Sequence, residues 1–391
     1  MSDCDVKEFK LCELLKIYNG TKYDHLNKGD IPLYGSGGLM SHVDEALYSG
    51  EAILLPRKGT LSNIMYVNES FWTVDTMYYA VVNDKLADAF YLYSYLSQLD
   101  LSNLDSGSTL PSMTKSAYES IVVKLPDLKI QKAVATILFN IRKKLETNNK
   151  INQELEAMAK TLYDYWFVQF DFPDQNGKPY KSSGGKMVYN PELKREIPEG
   201  WGVAKIEDIA QTGSGGTPKS TNVSYYSNGE IPWINSGELE QTVITSTSNF
   251  ITEEGLNNSS AKLFPSGIIL VAMYGATAGK VSFLTFEAST NQAICAIMLN
   301  DIRMRYYLKN VIEDLYQYLV KLSTGSARDN LSQDMIKNIK VVIPSNDILD
   351  RYYDFSNNII KEITKKQQEN EQLTQLRDWL LPMLMNGQVK V

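Results

Sequence analysis

Three short stretches place residue types at spacings that could do chemistry. GSGGTPKS (213–220) and YGATAGKV (274–281) partly match phosphate-cradling loops, in which glycine N–H groups hold phosphate oxygens and a lysine is followed by a hydroxyl for magnesium. Pro218 stands where the first loop needs its second glycine, and proline has no N–H to offer. The second stretch is one residue short and ends in Val281, where the hydroxyl belongs. Both are expected to be turns. Pro173-Asp174 followed by Glu192-Leu193-Lys194 matches a loose nuclease pattern, two carboxylates for magnesium and a lysine to orient water. Such a site needs its acids on adjacent strands. The intervening DQNGKPYKSSGGKMVYNP is full of Gly, Pro, Ser and Lys, which predicts a connector rather than paired strands. A magnesium-dependent nuclease using Asp174, Glu192 and Lys194 stays open as an alternative function.

Other chemistries lack their parts. No two prolines are adjacent, so the Asn/Asp-Pro-Pro-aromatic element that accepts from a base amine in methyl transfer is missing, and so is a G-x-S-x-G elbow. His25 and His42 are the only histidines, and Cys4, Cys12 and Cys295 have no C-x-x-C spacing. Neither a metal site of the usual spacings nor a disulfide framework follows from them. No catalytic residue and no metal ligand is expected. A net charge of −7 argues against a chain that coats nucleic acid indiscriminately, yet leaves room for local basic clefts. The first ten residues hold no signal-peptide pattern, and the longest strongly apolar run, IILVAM (268–273), is too short to cross a bilayer. A soluble chain in a reducing cytoplasm is the expectation.

The elements that would position any site come in two copies. GDIPLYGSGG (29–38) recurs as GEIPWINSGE (229–238), LPRKGTLSNI (55–64) lies opposite AMYGATAGKV (272–281), and TVDTMYYAV (73–81) lies opposite STNQAICAI (289–297). SGSTLPSMTKSAYESIVVKLP (106–126) aligns without gaps to TGSARDNLSQDMIKNIKVVIP (324–344). Short β-branched or aromatic runs between Gly, Pro, Ser and Asn clusters predict strands at 78–82, 121–125, 268–273 and 293–299, with short helices at 91–99 and 303–320.

After each repeat the pattern lengthens to a heptad. The first seam runs Leu138, Ile141, Leu145, Asn148, Asn152, Leu155, Ala159, Leu162, Trp166; the second, 218 residues later, runs Ser356, Ile359, Ile363, Lys366, Asn370, Leu373, Arg377, Leu380, Leu384. Both are polar at their middle two positions, a pattern that fixes register at some loss of stability. A helix of roughly 40 residues extends about 60 Å. The expected architecture is an α/β (α+β) tandem repeat: domains at 1–126 and 201–344, long helices at 127–167 and 345–391 with the C-terminal tail, and a connector at 168–200. Packed as an antiparallel coiled coil, the helices would relate the halves by a pseudo-two-fold axis, the symmetry with which dimeric proteins read duplex DNA.

The connector YDYWFVQFDFPDQNGKPYKSSGGKMVYNPELKREIPEGW (163–201), GGTPKS (215–220), GEIPWINSGEL (229–239) and the ending LLPMLMNGQVKV (380–391) resemble the specificity subunit of type I restriction-modification systems over almost the whole chain. The resemblance implies two target recognition domains, each reading one half of a split, asymmetric DNA target, with the helices setting the gap. It implies a non-catalytic chain to which two methyltransferase subunits and nuclease-translocase subunits attach, those partners carrying S-adenosylmethionine, ATP and magnesium. The halves diverge: GTK (20–22) stands against GTPK (216–219), and Arg57 and Lys58 against Met273 and Tyr274. Different half-sites follow. A scaffold or decoy of this subunit, without sequence preference, is the remaining alternative.

Reading bases requires donors and acceptors on loops at a groove, with cations beside them for phosphates. The candidates are Ser36, Arg57, Lys58, Thr60, Ser62, Asn63, Ser108 and Thr109 in the first half, and Lys219, Asn235, Ser236, Tyr274, Thr277, Lys280, Ser326, Arg328 and Asn330 in the second. Gly35, Gly59, Gly237 and Gly275 are expected to permit turns. Leu162, Trp166, Phe167, Leu380, Leu384 and Met385, at the helix ends, either bind the partner subunits or close the coiled coil.

Overall fold

The computed structural model describes residues 6–101, 111–275, 277–322 and 331–385 of the 391, with the backbone alone for 318–322. The chain divides into two compact units, one made of Met1–Glu146 with Gln372–Val391, the other of Thr147–Glu371. Each unit therefore contains a piece of both long helices.

In the first unit six strands form one sheet in the order Leu15–Asn19, Met77–Val82, Tyr48–Pro56, Met65–Thr73, Lys28–Gly35, Gly38–Val43. Ala52 to Pro56 are buried without alternation, because that strand is central and covered on both faces. Lys28–Gly35 runs parallel to Met65–Thr73, pairing Leu33 with Trp72 and Tyr34 with Thr73. Lys7–Lys10 and Val122–Leu125 pair antiparallel and close the unit.

The second unit repeats this plan. Ala210–Ser214, Ile294–Leu299, Ile269–Ala272 and Val281–Leu284 lie in the same order as their counterparts, and Ile231–Ile234 runs parallel to Ala288–Thr290. Gly202–Lys205 and Lys340–Ile343 form the closing pair. Thr114 and Ser332, in equivalent places, each cap a five-residue helix by accepting a backbone N–H. The runs predicted as strands are strands, and the tandem repeat is the fold. The strands also correct the alignment: Pro56 pairs with Met77 and Ala272 with Ile294, so Thr73 matches Thr290, one residue beyond the match suggested by sequence.

One difference between the units concerns how the sheet is covered. In the second unit Phe264 lies on Gly213, which pairs across strands with Ala296. At the matching cross-strand pair the first unit has Tyr18 and Tyr79, whose rings stack at 5.0 Å and shield the sheet themselves. Burial raises the Tyr79 pKa.

The long helices are Leu128–Tyr163, prolonged by a π-helical turn at Asp164–Val168, and Asn346–Met385. They pack antiparallel within each unit: Leu138 shares a core with Leu381 and Leu384 in the first, and Trp166 touches Tyr352 at 6.0 Å in the second. Of the predicted polar seam positions, Asn148, Asn152 and Asn370 are buried and Lys366 is half-buried. Asn148, fully buried, donates to the Asn370 side-chain oxygen (2.9 Å) and to Glu369 (3.0 Å), and Asn370 donates to Asn149 (2.8 Å). Apolar neighbours would tolerate a one-turn slip; these directional bonds do not.

The connector is more ordered than its composition suggests. Met187–Asn190 and Arg195–Pro198 pair as an antiparallel hairpin, against the expectation of no paired strands. Phe172 stacks on both Tyr180 (4.7 Å) and Trp201 (4.8 Å), while Phe167, Phe170 and Phe172 enter the second unit's core. Aromatic burial thus overrides the turn-rich composition. Among the described residues no helix is long and apolar enough to cross a membrane.

Asn148→Ala should cost about 1–3 kcal/mol, because the Asn370 oxygen loses its donor in a buried site. Asn148→Leu with Asn370→Leu should melt at or above the wild-type temperature. Thermal unfolding of the single and double variants measures both.

Candidate nucleic-acid interface

Each unit gathers its turns at one end of its sheet by the same backbone hydrogen bonds. In the first unit Thr21 N–H donates to Thr73 O (2.9 Å), Val74 N–H to Tyr34 O (3.0 Å), Arg57 N–H to Thr76 O (2.8 Å) and Met113 N–H to Arg57 O (3.0 Å). In the second, Gly216 donates to Thr290 (2.9 Å), Asn291 to Ile234 (3.0 Å), Met273 to Ala293 (2.8 Å) and Leu331 to Met273 (2.8 Å). Five segments are therefore joined bond for bond in both units.

These bonds have steric requirements. A Cβ on Gly20 would stand 2.0 Å from the Val74 oxygen, and one on Gly215 would stand 1.9 Å from the Thr290 oxygen. Only glycine fits there, and the equivalence moves the GTK/GTPK match by one residue, Gly20 with Gly215. Gly59 and Gly275 share a left-handed conformation, with φ of 90° and 87°. An indole N–H secures the glycine turn in both units, from different strands. Trp72 donates to Thr21 O (3.2 Å), and Trp233 donates to Gly216 O (3.0 Å). Trp72 faces Leu33 across the parallel pair, whereas Trp233 faces Ser289, so the ring has changed strands and kept its bond.

Two phenols brace the turns from beneath. Tyr118 donates to Pro56 O (2.8 Å) and Tyr226 to Pro218 O (2.5 Å). Burial raises both pKa values, so both remain protonated donors near neutral pH.

Asn63 donates from its side chain to Ser36 O (2.9 Å), and Thr277 donates to Ser236 O (2.8 Å). These candidates tie one turn to the next, and Thr277 is buried. Tyr274, half-buried, donates to Gln292 O (2.8 Å) at the exposed turn. Asn235 accepts from the Asn291 side chain (3.4 Å) and donates its N–H to Glu238 (2.8 Å). Arg57, Lys58, Thr60 and Ser62 are exposed in the first cluster, and Lys219 and Lys280 in the second. Arg57 reaches Asp75 O (3.4 Å) and lies over the Tyr78 ring at 5.9 Å. Ser108, Thr109, Ser326, Arg328 and Asn330 lie outside the described residues.

Sequence reasoning missed Asp75 and Gln292, the exposed residues at the matching turns Val74–Met77 and Asn291–Ile294. The misaligned repeat set Asp75 against Asn291 and hid the match. Asp174 accepts the N–H groups of Asn176 and Lys178 (both 2.8 Å), capping its own turn, and Glu192 pairs with Lys340 at 3.0 Å. Trp166 and Phe167 lie in the second unit's core with Leu162 packed against it; Leu384 lies in the first unit's core, with Leu380 and Met385 against it. The apolar surface of all six is thus largely taken up inside the chain.

The model of the type I restriction modification DNA specificity domain matches residues 4–157 and again 198–375, one match over most of each repeat. The chain belongs to that family. Its members are non-catalytic specificity subunits. The chain is 27% identical over 296 residues to the type I restriction enzyme MjaIX specificity subunit of Methanocaldococcus jannaschii, a match covering 74% of this chain and 66% of that protein, just under two thirds. It is 26% identical over 333 residues to the HindI specificity subunit of Haemophilus influenzae, covering 72% of each. The crystal structure of a type I system S subunit from M. genitalium superimposes with a TM-score of 0.67 over 98% of this chain and 97% of that one, at 14% identity, a likeness of fold.

Thr277→Val should cost about 1–3 kcal/mol by leaving the Ser236 carbonyl without its donor. Urea unfolding checks the loss. Because Thr277 faces inward, the bases the protein selects should not change.

Proposed function

We propose that this chain is the DNA-reading subunit of a type I restriction-modification complex, each unit reading one half of a split, asymmetric target. One observation carries the reading: two turn clusters, joined by matching backbone bonds, present different side chains at matching positions. A shared frame with Arg57 and Lys58 on one copy and Tyr274 and Lys280 on the other suits two half-sites of unlike sequence. The exposed cations hold phosphates.

The partners are two methyltransferase subunits and the nuclease-translocase subunits, to which S-adenosylmethionine, ATP and magnesium belong. Support for two equivalent docking places comes from the helices. Met158, Tyr165 and Val168 are exposed on the first, as are Leu376 and Trp379 on the second. Met158 and Leu376 are repeat equivalents, 218 residues apart. Trp379 is 61% exposed, unusual for an indole without a covering partner. The chain acts in the cytoplasm, where its DNA is.

The test is a genome-wide map of N6-methyladenine in cells that express the methyltransferase with or without this chain. One split asymmetric motif should vanish when the chain is absent; identical maps would refute the reading. Leu376→Glu with Trp379→Glu should reduce the bound methyltransferase subunits from two to one in native mass spectrometry, with the isolated chain still folded by circular dichroism.

A further inference from the structure

The turns Val74–Met77 and Asn291–Ile294 occupy one structural position in the two units. Each is fixed on both sides by the shared bonds, through the N–H of Val74 or Asn291 and the carbonyl of Thr76 or Ala293. The first central residue of each turn is exposed: Asp75 in the first unit, Gln292 in the second. Both adjoin the segments that carry the candidate cations, since Arg57 reaches the Asp75 carbonyl and Tyr274 the Gln292 carbonyl. Among the described residues the Asp75 carboxylate has no hydrogen bond or ion pair. Gln292 accepts from the Thr217 hydroxyl (2.6 Å), which fixes the orientation of its amide and, among the described residues, leaves the NH₂ group and one oxygen lone pair free.

We propose that Asp75 and Gln292 are specificity-determining residues, Asp75 selecting cytosine in the first half-site and Gln292 selecting adenine in the second. This rests on the DNA-reading role proposed above. A carboxylate only accepts, and in the major groove the only base donors are the amino groups of cytosine and adenine. Adenine sets the N7 lone pair beside its amine, against the second carboxylate oxygen, so cytosine is the better match. An amide both accepts and donates, which suits adenine N6 and N7 together. Thr217 holds that amide in one orientation before DNA arrives, so little side-chain freedom is lost on binding. Beside Asp75, the Arg57 and Lys58 cations offset the repulsion between a carboxylate and the phosphates.

The full chain is co-expressed with its methyltransferase as wild type, Asp75→Gln and Asp75→Ala, and methylation motifs are mapped by single-molecule sequencing. The wild type is the control on the underlying reading: no split motif there would sink the DNA-reading role itself. With a wild-type motif in hand, Asp75→Gln should change one cytosine of one half-site to adenine and leave the other half-site intact. Asp75→Ala should accept all four bases at that position. If either variant methylates too weakly to map, competition binding with duplexes carrying single changes in the wild-type motif decides. The wild type should prefer cytosine by about 10- to 100-fold at that pair, and the variants should lose this preference there alone. An unchanged motif, an equal loss on every duplex, or a complex that no longer assembles would each overturn the assignment.

Discussion

Everything proposed for this chain depends on a short set of main-chain hydrogen bonds that join loops distant in sequence. Thr21 to Thr73, Val74 to Tyr34, Arg57 to Thr76 and Met113 to Arg57 hold the first cluster, and the second repeats them. Main-chain bonds constrain backbone and leave side chains free to vary. One frame can therefore present Lys58 in one copy and Tyr274 in the other with no change in the turns. Where a side chain enters the frame, it is constrained as the backbone is: Gly20 and Gly215 have no room for a methyl group, and buried Thr277 has one hydroxyl in one role.

Much of the fold was legible because it is written twice. The heptads with a polar centre foretold two paired helices, and Asn148 meets Asn370 as such a seam requires. The short β-branched and aromatic runs foretold strands. The connector was misread because its Gly, Pro and Ser residues outnumber the aromatics that order it; Phe172 needs Tyr180 and Trp201, and such stacking leaves no periodic trace. The site was less legible. Sequence marks polar residues on loops but not which way they face, so Asn63 and Thr277 entered the candidates although their hydrogen bonds tie one turn to the next. A one-residue error in aligning two divergent strands was enough to hide the correspondence of Asp75 with Gln292.

The units also show two solutions to one covering problem. Where the second has a chain segment bring Phe264 onto Gly213, the first grows Tyr18 and Tyr79 from the strands and omits the segment. The length difference between the halves lies largely in that cover; four strands keep their order beneath it, while the single six-stranded sheet of the first unit gives way to a five-stranded and a four-stranded sheet in the second. Divergence has gathered in what lies over the sheet and at the turn tips, while the pairing that positions the turns is shared.

The migrating indole restricts how such a gene can be rebuilt. Because the ring sits on the later strand in one copy and the earlier strand in the other, a crossover between the copies that falls between those strands joins mismatched halves. One product carries Trp233 with Trp72, two rings competing for one carbonyl across a parallel pair; the other carries Leu33 with Ser289 and no indole donor for that turn. Exchange outside that interval transfers a working turn intact. The repeat is thus interchangeable only in blocks, and a hydrogen bond sets where the block boundaries fall.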